Sequence, residues 1–289
     1  MQEENSRDIK IPIKSIVEQA MFRNGASYQE DEFNLLRKYF IACLNLGYLV
    51  PENLEVMVNK FAQRIKLIVL NYNNFNKMDC YVINEGVLYI NGSLKDTNDT
   101  FYEINFYKAV TEVLFEVTNT YLGLSSALTE IVAEKVYNMD VNGSRIIMPK
   151  TEQEKIGNEL IEVRTGYLNY NLVISLAKQL LISLDINENK LIRRLFFEKF
   201  NDVIKTDFSD SKNILLLDVL DKLCLMYINR KTKGITNPSE IEVLNKYQIL
   251  INDNFKTVNQ NYLAFCALIT TDALRKQCMS KFNISGEGA

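Results

Sequence analysis

The clearest hydrophobic pattern in the chain runs from Phe101 to Asp140 and predicts two helices joined by a short turn. Over Tyr102–Thr120, apolar residues recur at every third or fourth position, and the same spacing returns over Ala127–Tyr137. The apolar positions are Phe106, Val110, Val113, Leu114 and Val117 in the first segment and Leu128, Ile131, Val132 and Val136 in the second. Each set forms one face of a helix, so we expect the two helices to pack against each other.

The region before this pair also has helical spacing, followed by a short β pattern. Helices are predicted over Ile16–Phe22, Asp31–Leu46 and Pro51–Leu70, and the proline suits the first turn of the third because no N–H is needed there. Asp79–Asn91 contains two short apolar runs around Asn84-Glu85-Gly86, which predicts a β-hairpin.

The C-terminal half reads mainly as helix. Asn138–Gly166 has no regular pattern and is expected to be irregular. Helices are predicted over Tyr167–Leu184, Lys190–Phe200, Ser211–Asn229, Pro238–Asn252 and Asn259–Phe282, with a cap at residues 185–189. The predicted fold class is therefore mainly α with a small antiparallel β element (α+β), ending in a C-terminal helical bundle.

The net charge and the cysteine content indicate which classes of partner and which cellular compartment to expect. A formal net charge of -3 gives no electrostatic reason to expect nucleic acid or an anionic membrane as partner. The five cysteines form no C-x-x-C pair, which is typical of reduced cytosolic thiols; they are Cys43, Cys80, Cys224, Cys266 and Cys278. No signal peptide pattern and no membrane-length apolar run occur in the sequence. We therefore expect a cytoplasmic protein.

The absence of histidine excludes the commonest catalytic sites. The chain has no histidine, so it has no Ser-His-Asp or Cys-His system and no zinc held by imidazole. Enzymes can still use pairs of carboxylates or a lysine base. Glu112, Glu116, Glu130 and Glu134 are spaced to put two carboxylates on one face of each predicted motif helix, where they could hold Mg²⁺ or Mn²⁺ or simply face solvent.

Two short motifs in the predicted helix pair resemble the active-site core of gluzincin metallopeptidases, the thermolysin-like zinc peptidases. Thr111-Glu112-Val113-Leu114-Phe115 corresponds to their H-E-x-x-H helix, and Ser125-Ser126-Ala127-Leu128-Thr129-Glu130 to the second helix, which supplies a glutamate ligand. The resemblance implies that Glu112 matches the general base and that Glu130 matches an acidic position beside the metal ligands. It places Thr111 and Phe115 at the two histidines and Ser126 at the glutamate ligand.

This resemblance implies that the zinc site has been lost. None of the three replacements is an adequate zinc ligand, so no metal or other cofactor is expected. The implied function is a non-catalytic zincin-like protein, a pseudo-metallopeptidase, with a binding or scaffold role for a peptide or protein in the former substrate groove. Val87–Asn91 would be the edge strand of that groove. The implied regions are N-terminal helices at 1–77, a zincin-like core at 78–150 and C-terminal helices at 151–289.

Two alternatives remain open at the level of the sequence. The protein could be a hydrolase that uses a carboxylate site around Glu112, with or without a metal ion. It could also be a helical structural protein whose resemblance to zinc peptidases is accidental. Because function resides in sites and not in folds, the sequence names no particular partner.

Overall fold

The described part of the protein is mainly helical and carries two small sheets. The computed structural model describes residues 12–72, 81–97, 99–117, 120–139, 150–156, 159–165 and 185–208, together with residues 177, 181 and 217. The helices are α1 (Ile13–Asn24), α2 (Glu30–Asn45), α3 (Pro51–Arg64), α4 (Gly92–Thr97), α5 (Asp99–Phe115), α6 (Leu122–Asn138), α7 (Glu188–Phe197) and α8 (Phe200–Asp207). The strands are β1 (Leu67–Asn71), β2 (Tyr81–Asn84), β3 (Val87–Asn91), β4 (Lys150–Ile156) and β5 (Glu159–Thr165). This is the predicted α+β class.

The third N-terminal helix is shorter than its apolar spacing predicts. Helix α3 begins at Pro51, as expected, but ends at Arg64, and Ile65 already has extended backbone angles. The apolar run that follows forms β1, which pairs in parallel with β3 from Leu67 opposite Val87 onward. A short apolar run fits a helix or a strand equally well, and here the pairing with β3 decides for the strand.

The predicted hairpin is confirmed, but its place in the sheet differs from the expectation. Strands β2 and β3 pair antiparallel, and Glu85 and Gly86 between them both have positive φ, as a tight type I′ turn requires. The sheet order is β1-β3-β2, so Val87–Asn91 is the central strand and not an edge. The outer strand of the hairpin is β2. The expectation was wrong because β1, predicted as helix, occupies the other side of β3.

The two motif helices form an antiparallel pair, as their apolar stripes predict. The Thr100 hydroxyl near the start of α5 lies 2.9 Å from the Tyr137 hydroxyl near the end of α6. Helix α5 ends at Phe115, earlier than the predicted Thr120, because Glu116 adopts a left-handed backbone conformation. Helix α6 starts at Leu122, before the predicted Ala127.

One contiguous hydrophobic core joins these elements. It takes fully buried side chains from α2, α3, the central strand, both motif helices and α7; examples are Phe40, Phe61, Leu88, Phe106, Leu128 and Phe196. The core therefore surrounds α5 and leaves only part of that helix near solvent. The division of the chain at residues 77 and 150 stays a prediction.

The C-terminal half is described only in part. Strands β4 and β5 form an antiparallel hairpin where an irregular segment was expected, because cross-strand pairing cannot be read from either strand alone. Helix α7 matches the predicted 190–200 helix, and the Asn187 side chain caps it by accepting a hydrogen bond from the Lys190 N–H. Helix α8 was not predicted. Most of the predicted helices at 167–184 and 211–229, and all of those at 238–252 and 259–282, lie outside the described residues, so the C-terminal bundle stays a prediction.

None of the described helices combines the length and the apolar composition that crossing a bilayer demands.

Candidate functional site

Thr111, which the resemblance aligns with the first histidine of the peptidase motif, is a buried core residue. Its hydroxyl donates to the Tyr107 carbonyl at 2.7 Å and lies 2.9 Å from the Tyr39 hydroxyl of α2. A hydroxyl has one hydrogen, and Thr111 gives it to the carbonyl, so the Tyr39 phenol must be the donor in the second bond. The Thr111 hydroxyl therefore both donates and accepts a hydrogen bond inside the core.

Phe115, which the resemblance aligns with the second histidine of the peptidase motif, belongs to an aromatic cluster. Its buried ring meets the Phe196 ring of α7 edge to face, with centroids 5.1 Å apart and an interplanar angle of 81°. Phe196 in turn stacks on Tyr48, at a centroid distance of 6.1 Å. Edge-to-face contacts of this kind add to the stabilisation from buried area. Phe115 thus anchors α7 to the end of α5.

Ser126, which the resemblance aligns with the glutamate ligand, lies on α6 and is half-buried. It precedes Glu130 by one helical turn, and Glu130 contacts Lys108 of α5. Thr111 and Ser126 therefore lie on neighbouring helices, each about one turn along its own helix from the Lys108–Glu130 pair.

Glu130 forms a buried ion pair that the sequence did not reveal. Its carboxylate lies 2.5 Å from the Lys108 ammonium, and the two side chains are only 1% and 8% exposed. Charges this deeply buried are retained only when they are paired. The one hint of this ion pair in the sequence is Lys108 itself, a charged residue within the apolar stretch of α5. Nothing in the local sequence indicates that Lys108 faces a glutamate 22 residues later.

Glu112 is held at the edge of the sheet and not in the core. The Tyr81 hydroxyl of β2 donates a hydrogen bond to its carboxylate, and Glu112 remains half-buried. The next residues of β2, Val82 and Ile83, are 45% and 37% exposed. Of the positions that match catalytic residues, Glu112 therefore lies beside an accessible surface, where it can accept hydrogen bonds from a bound molecule.

Glu116, a further carboxylate of the predicted cluster, pairs with two cations of α3, whereas Glu134 lies half-buried on α6. Glu116 lies 3.1 Å from the Lys60 ammonium and 3.0 Å from the Arg64 guanidinium. Burial acts to raise the pKa of Glu116, but the hydrogen bond and charge of Lys60 and the charge of Arg64 outweigh it, so this pKa lies below its usual value. Lys60 also donates to the Leu114 carbonyl at 2.7 Å and so caps α5.

These pairings separate the carboxylates that the sequence placed on two helical faces. Glu112 faces β2, Glu116 faces α3 and Glu130 faces Lys108. Within the described ranges, no three cysteine or carboxylate side chains come together as metal ligands. The half-buried Glu112 carboxylate lies next to the exposed strand β2. No protein-family model, curated protein or solved structure matches this chain.

Proposed function

We propose that this is a non-catalytic zincin-like protein, a pseudo-metallopeptidase of the cytoplasm that binds a peptide or protein partner beside Glu112. The proposal is carried by one observation: Thr111 and Phe115 are fully buried and make contacts within the core. Catalytic zinc needs three protein ligands and an open position for water. Side chains committed to core packing leave no such position at the two histidine sites.

The outer edge of β2 is the surface on which we expect the partner to bind. The Asn84–Val87 pair flanks a two-residue turn and is a hydrogen-bonded pair, so the alternation of the ladder leaves the N–H and C=O of Ile83 pointing outward. Among the described strands, none pairs with this edge. An extended peptide can add to such an edge through main-chain hydrogen bonds, which makes an extended peptide segment the favoured ligand class.

Restoring the lost ligands tests whether α5 and α6 have gluzincin geometry. The triple variant Thr111→His, Phe115→His, Ser126→Glu should be destabilised by about 3 kcal/mol or more without metal, because a large core ring is lost. Zinc at a thousand times its Kd should return about 4 kcal/mol if it binds only the folded state. Thermal melts with and without zinc measure both effects.

The single variant Phe115→His is the matched control for this reconstruction. It suffers a similar core loss but supplies one imidazole, so zinc should restore far less of its stability. A triple variant that folds and gains no zinc-dependent stability would show that the helices are not arranged as in a gluzincin. Stoichiometric zinc in the purified wild-type protein would overturn the proposal that the zinc site has been lost. Peptidase activity that disappears in Glu112→Gln would show that the protein is an enzyme.

The peptide surface can be tested separately with a displayed library of random linear peptides. Peptides selected on the wild-type protein should lose binding to Ile83→Pro, which removes the outward N–H without breaking the ladder with β3. Phe22→Ala, on a remote exposed position of α1, is the control and should bind them unchanged. Selected peptides that bind Ile83→Pro as tightly as wild type would place the binding surface elsewhere.

A further inference from the structure

Two features of the protein meet at strand β2, an outward-facing edge and the carboxylate of Glu112. The N–H and C=O of Ile83 point away from β3, as the hydrogen-bonded pairing of Asn84 with Val87 requires. Helix α5 lies against the same strand, and the Tyr81 hydroxyl donates to the Glu112 carboxylate. A segment that pairs with this edge therefore lies close to that carboxylate.

The Glu112 carboxylate can accept more hydrogen bonds than the described residues give it. A carboxylate has two acceptor oxygens, and Tyr81 donates to one of them. No ion pair among the described residues includes Glu112; Lys60 and Arg64 of α3 pair with Glu116 instead. The carboxylate is therefore available to a cation that a bound molecule supplies.

We infer that the partner is an extended segment with a lysine or arginine side chain on the face toward α5, and that this side chain pairs with Glu112. The inference rests on the proposed function for the binding of an extended segment at β2. Successive side chains of a strand point to opposite faces, so Ile83 points toward α5 as Tyr81 does. A basic side chain opposite Ile83, or two positions from it, lies on that same face. Lysine and arginine side chains are long enough to reach the depth of the Tyr81 hydroxyl.

The charge of Glu112 distinguishes basic side chains from neutral and acidic ones. A cation donates to a carboxylate in a charge-assisted hydrogen bond, which is about twice as strong as a neutral one. An acidic side chain at the same place would be repelled. Because Glu112 is half-buried, salt and water screen this attraction less than they would at a fully exposed carboxylate.

Peptides selected from the displayed library test this preference. Those that lose binding to Ile83→Pro should carry lysine or arginine at one position, and their binding to Glu112→Gln should be about tenfold weaker or more. Glu85→Gln removes an exposed carboxylate from the turn of the same hairpin and is the matched control, with binding unchanged. Fluorescence anisotropy of synthetic, N-terminally acetylated peptides gives the Kd values.

A peptide analogue completes a double-mutant cycle with Glu112→Gln. Replacing the basic residue of the peptide by norleucine or citrulline removes its charge and should weaken binding to wild type by about the same factor. The replacement should cost little further with Glu112→Gln, because the two changes remove the same interaction. The analogue leaves the protein unchanged, so its effect on wild type holds whatever the stability of the variant.

The outcomes separate this inference from the proposed function. Ile83-dependent peptides that lack a preferred basic residue, or that bind Glu112→Gln as tightly as wild type, overturn the inference and leave the peptide surface in place. An equal loss in Glu85→Gln overturns it as well, because the peptide would then respond to the general charge of the hairpin. So does binding that requires a free N-terminal amine, because the cation would then be the α-amino group. A library that yields no Ile83-dependent peptide removes the proposed surface and the inference together.

Discussion

The two sides of helix α5 differ in the burial and the contacts of their polar and aromatic side chains. The side toward the core holds Thr111 and Phe115, both fully buried and matched to partners on α2 and α7. The side toward β2 holds Glu112, which keeps solvent contact and accepts a hydrogen bond from the Tyr81 phenol. The comparison teaches that positions inside the core are occupied by side chains that pack or pair there, because an unpaired polar group would be costly. A carboxylate near the surface needs no such partner, because water solvates it.

Truncating Phe115 should give the largest loss of stability among the variants of α5. A small loss would contradict the contrast between the two sides of the helix. Phe115→Ala removes a fully buried ring that meets Phe196, so we expect a loss of about 3–5 kcal/mol in the free energy of unfolding. Urea unfolding monitored by circular dichroism measures it. Phe22→Ala, at a side chain that is 89% exposed, is the matched control and should stay within about 0.5 kcal/mol of wild type. Equal losses in the two variants would mean that Phe115 is not a core residue.

Removing the hydroxyl of Thr111 should reduce the free energy of unfolding by less than Phe115→Ala does, but by a measurable amount. Thr111→Val keeps the side-chain volume and leaves the buried Tyr39 hydroxyl without its acceptor, which should cost about 1–3 kcal/mol. The double variant Thr111→Val, Tyr39→Phe removes both partners and should recover much of that loss. Urea unfolding of the two single variants and the double variant gives the coupling energy. A coupling near zero would argue against the hydrogen bond.

The buried phenols on the core side predict a loss of stability at alkaline pH. Burial raises the pKa of Tyr39 well above its usual value of about 10, and it also raises the pKa values of Tyr28 and Tyr102. Above about pH 10 the unfolded chain releases phenol protons that the folded protein keeps, so the free energy of unfolding falls by about 1.4 kcal/mol per pH unit for each such group. Below that pH these groups contribute no slope.

Tyr39→Phe provides the measurement for this pH dependence. Urea unfolding above about pH 10 should give a slope that is smaller by about 1.4 kcal/mol per pH unit in the variant, and the slopes should agree below that pH. An unchanged slope would mean that the Tyr39 phenol titrates equally in the folded and unfolded chains. That result would contradict its burial beside Thr111.

The smallest change in stability is expected for substitution of Glu112, on the side of α5 that faces β2. Glu112→Gln keeps an oxygen that can accept the Tyr81 hydrogen bond, so stability should stay within about 0.5 kcal/mol of wild type. Tyr81→Phe removes the donor and serves as the companion variant. A loss in Glu112→Gln comparable to that of Phe115→Ala would remove the contrast between the two sides.

Local patterns in the sequence were sufficient for α1, α2, the start of α3 and the β2–β3 hairpin turn, but not for α4 and α8. The spacing of apolar residues located α1 and α2, and Pro51 marked the start of α3. The Asn84-Glu85-Gly86 signal gave the β2–β3 hairpin, because a two-residue turn needs the positive φ that Glu85 and Gly86 adopt. Each of these features depends on residues within a few positions of one another. Local sequence is therefore enough to specify them.

The sequence also indicated which residues of the candidate site share a helix but not what they contact. It put Thr111, Glu112 and Phe115 on α5, as the structure has them. It did not indicate that Thr111 bonds to a tyrosine 72 residues earlier. The sequence also gave no sign that Lys108 faces Glu130. Those contacts depend on how helices far apart in the chain pack together.

What the sequence by itself determined is the helical period of α1, α2 and the two motif helices, the hairpin turn and the absence of histidine chemistry. Only the tertiary structure decided that Leu67–Asn71 is a strand, that Val87–Asn91 is central and that Glu112 faces β2. The physical reason is the range of the interactions. Helix spacing and turn conformation arise from neighbouring residues, whereas strand pairing and buried ion pairs gain their stabilisation from partners brought together only when the chain is folded.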